Sequence, residues 1–176
     1  MKRIGLLRHA KSDWSDSDKR DFDRGLNERG RRGARLIGRH IADEGTQWQA
    51  IRASSAERVR RTVEQALPCA EIGFDDRLYL ASAETLLDHV HALPEEADAV
   101  LFVAHNPGLQ DLVLKLVAPG KENALFDEAK VKFPTASFAV IEVPAGQWAD
   151  VVEESGTLAH FTRPRDLDPE LGPEEN

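Results

Sequence analysis

The sequence predicts an α/β fold, a mostly parallel central sheet flanked by helices on both faces, in a single domain. Two observations carry that expectation. Apolar runs of strand length alternate with stretches whose apolar residues recur at helical spacing, as crossover helices between parallel strands require. The run Ala99–Ala104, Ala-Val-Leu-Phe-Val-Ala, has no polar face, as befits a central parallel strand covered on both sides. A third observation bounds the size: 176 residues, 41% hydrophobic and 31% charged, suit one domain with a substantial core.

Along the chain, residues 4–7 are the first buried strand. A polar loop follows over 10–26, crowded with Asp, Ser, Lys and Arg. Asn27 is the expected N-cap. Behind it Gly30, Ala34, Ile37 and Ile41 recur at helical spacing, and Gly45 is the natural stop. Residues 50–53 read as a second strand. Ser54-Ser55-Ala56-Glu57 reads as a capping box for a helix that Pro68 closes. Residues 72–74 suggest a brief edge strand, and 83–93 a helix with Leu86, Leu87, Val90 and Leu93 inward. After the central strand, Asn106 is expected to cap and Pro107 to open a helix. That helix runs through Leu109, Leu112, Val113, Leu116 and Val117 to Pro119-Gly120. Residues 137–143 and 151–153 read as an antiparallel pair around Pro144-Ala145-Gly146. From residue 163 the chain is rich in Pro, Asp and Glu and is expected to be disordered. The expected domain is therefore 1–162, with 163–176 as an acidic tail.

Composition removes several classes of function. The single cysteine, Cys69, excludes an internal disulfide and a Cys-based zinc cluster, and fits a reducing compartment. The apolar run before Arg8 is too short for a signal peptide or membrane span, so a cytoplasmic protein without a membrane partner is expected. A net charge of −8 argues against nucleic acid as a partner. The basic residues within 20–39 read as a solvated helix face.

Three places share one pattern, in which a strand ends, a polar residue caps, and Arg or His stands at the junction: Arg8-His9, Ser54 to Arg58, and His105-Asn106. Ligands of open α/β sheets bind beyond the carboxyl ends of the strands. If the three strands are parallel neighbours, Arg8, His9, Arg58 and His105 converge on one pocket with helix N-termini aimed into it. That set suits a phosphoryl group, since guanidinium forks match its oxygens and helix N-termini add amide donors. Each junction alone has an ordinary structural reading. The conjunction does not.

The stretches Leu-Leu-Arg-His-Ala-Lys-Ser-Asp-Trp, Asp-Phe-Asp-Arg-Gly-Leu-Asn-Glu-Arg-Gly, Ser-Ser-Ala-Glu-Arg-Val-Arg-Arg-Thr and Val-Ala-His-Asn-Pro-Gly together resemble the histidine phosphatase superfamily, and within it the SixA-like phosphohistidine phosphatases. The similarity runs from residue 1 to about residue 143, in the family's order and spacing. The resemblance implies a three-layer, phosphoglycerate-mutase-like sandwich without a large cap insertion. It implies His9 as nucleophile, Arg8 and Arg58 as clamps on the phosphoryl oxygens, and His105 as stabiliser of the developing charge. Asn106 would add an amide, Lys11 would help hold phosphate, and Ser15 falls where relatives often place an Asn that touches it. Neither a metal nor any other cofactor is implied.

Relatives acting on alcohol esters carry a carboxylate that protonates the leaving oxygen, commonly from an insertion between the second Arg and second His motifs. Here that span is short. Glu84 is its best-placed acid, with Asp75 and Asp76 behind it, although the helix dipole alone accounts for a glutamate in a first turn. An alkoxide needs such a donor (water itself has a pKa near 15.7), whereas an imidazole, with a pKa of about 6.5, leaves with little help. The expected substrate is therefore phosphohistidine on a protein of the histidine-containing phosphotransfer type. The alternatives are a small-molecule phosphomonoesterase, with Glu84 or Asp75 as acid, and a non-catalytic module that binds phosphohistidine proteins. The oligomeric state is left open, a monomer included.

Other candidates have plainer readings. His89 and His91 do not share a helix face. His40 and His160 read as surface or packing residues, and Cys69 as structural. Trp14 and Trp48 are placed either at the pocket mouth or in the core. Ser54 and Ser55 lack the Gly-x-Ser-x-Gly elbow of a hydrolase nucleophile.

Overall fold

A computed structural model describes residues 1–173. Six strands form one sheet: β1 (Lys2–Arg8), β2 (Ala50–Ser54), β3 (Gly73–Asp75), β4 (Ala99–Ala104), β5 (Phe138–Val143) and β6 (Thr157–Thr162), in the spatial order β3-β2-β4-β1-β5-β6. β1 to β4 run parallel, and β5 and β6 add an antiparallel edge.

Strand alternation sorts the side chains into two cores. Ile4, Leu6, Val100, Phe102 and Ile141 face α3 (Ala83–His91), α4 (Gly108–Leu116) and α5 (Ala124–Val131). Leu7, Leu101, Val103, Phe138 and Val140 face α1 (Glu28–Glu44) and α2 (Glu57–Ala66). The result is the three-layer α/β sandwich, with β4 buried along its whole length. No helix among the described residues is long and apolar enough to cross a membrane.

α1 forms between its expected signals. The Asn27 side chain accepts from the Gly30 amide at 2.8 Å, and Gly45 ends the helix at φ +88°. Other boundaries differ from expectation. α2 starts without the capping box, because Ser54 is fully buried at the end of β2 and bonds elsewhere. Pro107 is the N-cap of α4, not its first residue, and its peptide bond with Asn106 is cis. α5 was not foreseen. Asn123 caps it through the Phe126 amide at 2.9 Å.

The last strand is Thr157–Thr162 and not residues 151–153. The wholly buried Trp148 draws the chain after β5 down onto the α3 face, its indole donating to the Ala97 carbonyl at 2.8 Å, and only then does the chain return to the sheet. Residues 163–173 are ordered, contrary to the expected disordered tail. They form α6 (Pro164–Leu167) and a 3-10 turn over Pro169–Leu171. The basic side chains of α1 explain this. Arg32 pairs with Asp168 and Glu170, and Arg29 donates to the carbonyls of Glu170 and Gly172. Residues 174–176 of that tail lie outside the described residues.

α1 also meets the loop after β1 at backbone distance. A Cβ on Gly30 would lie 2.1 Å from the Lys11 carbonyl oxygen, whereas one on Gly146 would meet nothing within 4 Å. Gly30→Ala is expected to destabilise the fold by about 1–3 kcal/mol, the range for overpacking a tight site. Gly146→Ala, as the control, should leave the denaturation midpoint unchanged.

Candidate active site

β2, β4 and β1 are consecutive parallel neighbours, so their carboxyl ends converge. The register is level. Arg8 pairs with Ala104 across β1 and β4, and the His9 amide donates to the Ala104 carbonyl at 3.1 Å. His9 and His105 therefore leave the sheet side by side, with ring centroids 5.3 Å apart and planes tilted by 54°.

His9 is 7% exposed. Its Nδ1 lies 2.8 Å from the Ala10 carbonyl oxygen. A carbonyl only accepts, so Nδ1 carries the proton and Nε2 keeps its lone pair. Burial, reinforced by the positive Arg8 and Arg58 and by His105, pushes the ring down to about 3 against the pull of that carbonyl. The imidazole is neutral at pH 7, as a nucleophile must be.

His105 is fixed from the opposite side. Its Nε2 lies 2.7 Å from Ser54 Oγ, which already accepts the Ala56 amide at 3.3 Å. With the serine proton donated to Nε2, the imidazole proton sits on Nδ1, a buried atom without a hydrogen-bond partner among the described residues. Burial, then Arg58, lowers His105 to about 3.

The guanidiniums are aimed mainly by carbonyl oxygens. Arg8 donates to Phe133 O at 3.0 Å, and Arg58 to Asp21 O at 2.8 Å. Burial and the neighbouring Arg58 press Arg8 below the usual guanidinium range, and it remains a cation. The one carboxylate among the lining residues is Asp21, 3.1 Å from Arg58 and also bonded by the Tyr79 hydroxyl. Those contacts, Tyr79 first, hold Asp21 below the ordinary carboxylate range. Thr62, fully buried, braces the site. Its hydroxyl accepts the Ala10 amide at 2.9 Å and donates to the Arg58 carbonyl at 2.7 Å. The cleft measures about 310 Å³ and also admits Lys11, Ser12, Trp14, Leu80, Asn106 and Thr135. A phosphoryl group fits this arrangement of two guanidiniums, a lysine, two imidazoles and an open mouth.

Known proteins agree with that geometry. Residues 4–79 match the model of the histidine phosphatase superfamily (branch 1). An uncharacterised Mycobacterium leprae protein is 32% identical over 162 residues, covering 90% of this chain and 100% of the relative. The chain belongs to the histidine phosphatase superfamily. Among solved structures, a protein assigned as phosphohistidine phosphatase SixA from Agrobacterium tumefaciens is 31% identical with a TM-score of 0.73, over 92% of this chain and 97% of that one. A SixA-type protein from Nakamurella multipartitia is 27% identical with a TM-score of 0.81, over 93% and 96%. The chain is thus a SixA-like phosphatase, a hydrolase of this superfamily.

The fold of this histidine phosphatase gathers some predicted residues and disperses others. Arg8, His9, Arg58, His105, Lys11 and Asn106 line one cleft. The Asn106 amide donates to the same Phe133 carbonyl that Arg8 uses, at 3.0 Å. Ser15 does not line it. It is exposed in a turn, its amide donating to Asp13 Oδ1 at 2.9 Å. Glu84 lines a separate surface cleft with Lys115 and Glu153. Asp75 is taken up by Arg77 and His89. Trp14 stands at the mouth and Trp48 packs on Phe138. Asp21, Tyr79 and Thr62 were not singled out beforehand. Asp21 lay within a motif whose acidic residues resembled a solvated loop.

Removal of one such hydrogen bond costs about 1–3 kcal/mol, so Ser54→Ala should lower kcat by about tenfold to a hundredfold with little change in KM. The histidines also set a pH dependence. Both have folded values of about 3 against about 6.5 unfolded, so the unfolded chain binds protons that the folded one does not. Stability should fall as pH drops below 6.5, and less steeply in His105→Asn. The kcat/KM profile, corrected for substrate ionisation, should lack a limb near 6.5.

Proposed function

We propose that the chain hydrolyses the P–N bond of phosphohistidine on a protein partner of the histidine-containing phosphotransfer type, through a covalent phospho-His9 intermediate. The observation that carries the covalent step is the His9 ring itself, with Nδ1–H tied to Ala10 and Nε2 unprotonated beside Arg8, Arg58 and His105.

His9 Nε2 attacks phosphorus in line with the departing nitrogen. A P–Nε2 bond forms, and the substrate P–N bond breaks with its electron pair passing to the substrate imidazole. With its other ring nitrogen protonated, that imidazole departs neutral. Arg8 and Arg58 bind the equatorial oxygens and His105 donates from Nδ1, so charge gathers where donors already stand. Lys11 and Asn106 add contacts. Water then attacks phospho-His9, the bond electrons return to Nε2, and inorganic phosphate leaves.

The leaving group supports a P–N substrate. Asp21 is the sole carboxylate among the residues lining the cleft, and its low pKa keeps it ionised at neutral pH, so it has no proton to give an alkoxide. A second reading makes the chain a small-molecule phosphomonoesterase. A phosphate that drew Arg58 away from Asp21 would remove one of the contacts that hold that carboxylate down, the Tyr79 hydrogen bond being the larger, and a protonated Asp21 would serve an ester oxygen as acid. A cytoplasmic location fits the single cysteine.

The deciding experiment compares a phosphohistidine protein with phosphomonoesters. The phosphohistidine reading expects the former to be far the better substrate, with Asp21→Asn changing its turnover by less than about threefold. Efficient ester turnover that collapses in Asp21→Asn would establish the second reading instead. His9→Ala should lose at least about a thousandfold in rate, and an alkali-stable, acid-labile phosphate should be trapped on the parent and absent from the variant.

A further inference from the structure

Beside the phosphate cleft lies a second one, of about 250 Å³, between α1, the segment before β5, and α6. Arg8, Lys11 and Thr135 line both. The ionisable side chains of the second cleft are Arg8, Lys11, Arg29, Lys132, Arg163 and Arg165, with no carboxylate among its described lining. In a chain of net charge −8 this is a local inversion of sign. A solvated face interleaves charges, whereas cations of one sign around a concavity focus a field that attracts anions.

The structure tethers two of these side chains. The carbonyls of Glu170 and Gly172 aim Arg29, and Arg163 is paired with Asp166 and Glu128. The Nε atoms of Arg8 and Arg165 are buried and have no hydrogen-bond partner among the described residues. A buried donor left unmatched is costly, and an acceptor brought into the cleft would relieve it.

The opposite rim of the phosphate cleft is apolar. Trp14 and Leu80 line it while remaining 64% and 56% exposed. Trp14 is held on the Arg24 guanidinium, 4.1 Å from its ring, and Arg24 is itself buried and bonded to the carbonyls of Asp16 and Lys19. A rigid, exposed aromatic beside a charged depression resembles a protein interface more than a metabolite pocket.

We propose that the basic cleft between α1 and α6 seats acidic side chains of the phosphoprotein substrate, next to the phosphorylated residue in the catalytic cleft. This rests on the reading of that substrate as a protein. The partner is then a protein whose phosphorylated site is flanked on one side by Asp or Glu.

The test reads binding and not turnover. Two labelled peptides carry a hydrolysis-resistant triazole analogue of phosphohistidine and differ only in having Glu or Gln at the flanking positions. The parent chain should bind the Glu peptide about tenfold more tightly, with the advantage shrinking as salt is raised. In Lys132→Ala/Arg165→Ala the ratio should approach one, with the Gln peptide bound as by the parent. Lys132→Ala alone, at an exposed position, should move the ratio the same way without threatening the fold. Equal affinity for the two peptides in the parent overturns the proposal, as does a Glu preference that survives the double change. A double variant that loses affinity only for inorganic pyrophosphate assigns the cleft to a second phosphate of a small substrate, and also overturns it. A Glu preference in a chain that turns over only phosphomonoesters leaves the docking site standing and removes the phosphohistidine reading.

Discussion

Two guanidiniums, Arg8 half-buried and Arg58 buried, share one end of a parallel sheet with two imidazoles, and carbonyl oxygens do most of the work of holding them there. Phe133, Asp21 and Ala10 each lend a backbone oxygen to Arg8, Arg58 and His9. A carbonyl orients a cation without neutralising it, so the site keeps its positive potential for an incoming oxyanion. Both histidines answer to the same field. Desolvated and beside fixed cations, they stay neutral, one as a lone-pair donor and the other as an N–H donor. The scaffold makes this tolerable by surrounding the cluster with a rigid frame: β4 buried between its neighbours, Thr62 joining the loop after β1 to α2, and α1 packed against that loop at Gly30.

Much of this was legible in the sequence because it is local. A strand ending in Arg-His, another followed by Ser-Ser-Ala-Glu-Arg, and a third ending in His-Asn-Pro-Gly can each be read within a few residues. The order of βα units then makes parallel adjacency the natural arrangement. The cap of α1 and its glycine stop are equally local. What escaped depends on contacts between distant residues. Asp21 becomes part of the site only because Arg58 and Tyr79, 37 and 58 residues away, close on it. The Phe133 carbonyl has no side-chain signature at all. The C-terminal segment has the composition of a disordered tail, yet arginines on α1 order it. Ser54 was expected to cap a helix and instead supports His105 from beneath.

Stability and chemistry are hard to separate here. Thr62 and Ser54 are fully buried, and each accepts a backbone amide while it braces a residue that lines the cleft. A change at either position alters a folding interaction and a reacting geometry together. Asp21 is different: at the half-exposed mouth of the cleft, it engages Arg58 where substrate would, so its replacement bears on binding more than on folding.

The clasp of residues 163–173 onto α1 gives the two ends of the chain unequal standing. Lys2 opens β1 at the edge opposite the site, and seven residues of strand, roughly 23 Å at about 3.3 Å each, separate it from the carboxyl ends of the sheet. Leu171, Gly172 and Pro173 instead wall the basic cleft beside Arg8. An affinity handle or reporter domain appended after residue 176 would be joined three residues beyond that wall, close to the cleft proposed to dock the substrate. Fusion ahead of Met1 puts the appendage behind the sheet, which makes the amino end the one to modify when docking and catalysis are to be observed undisturbed.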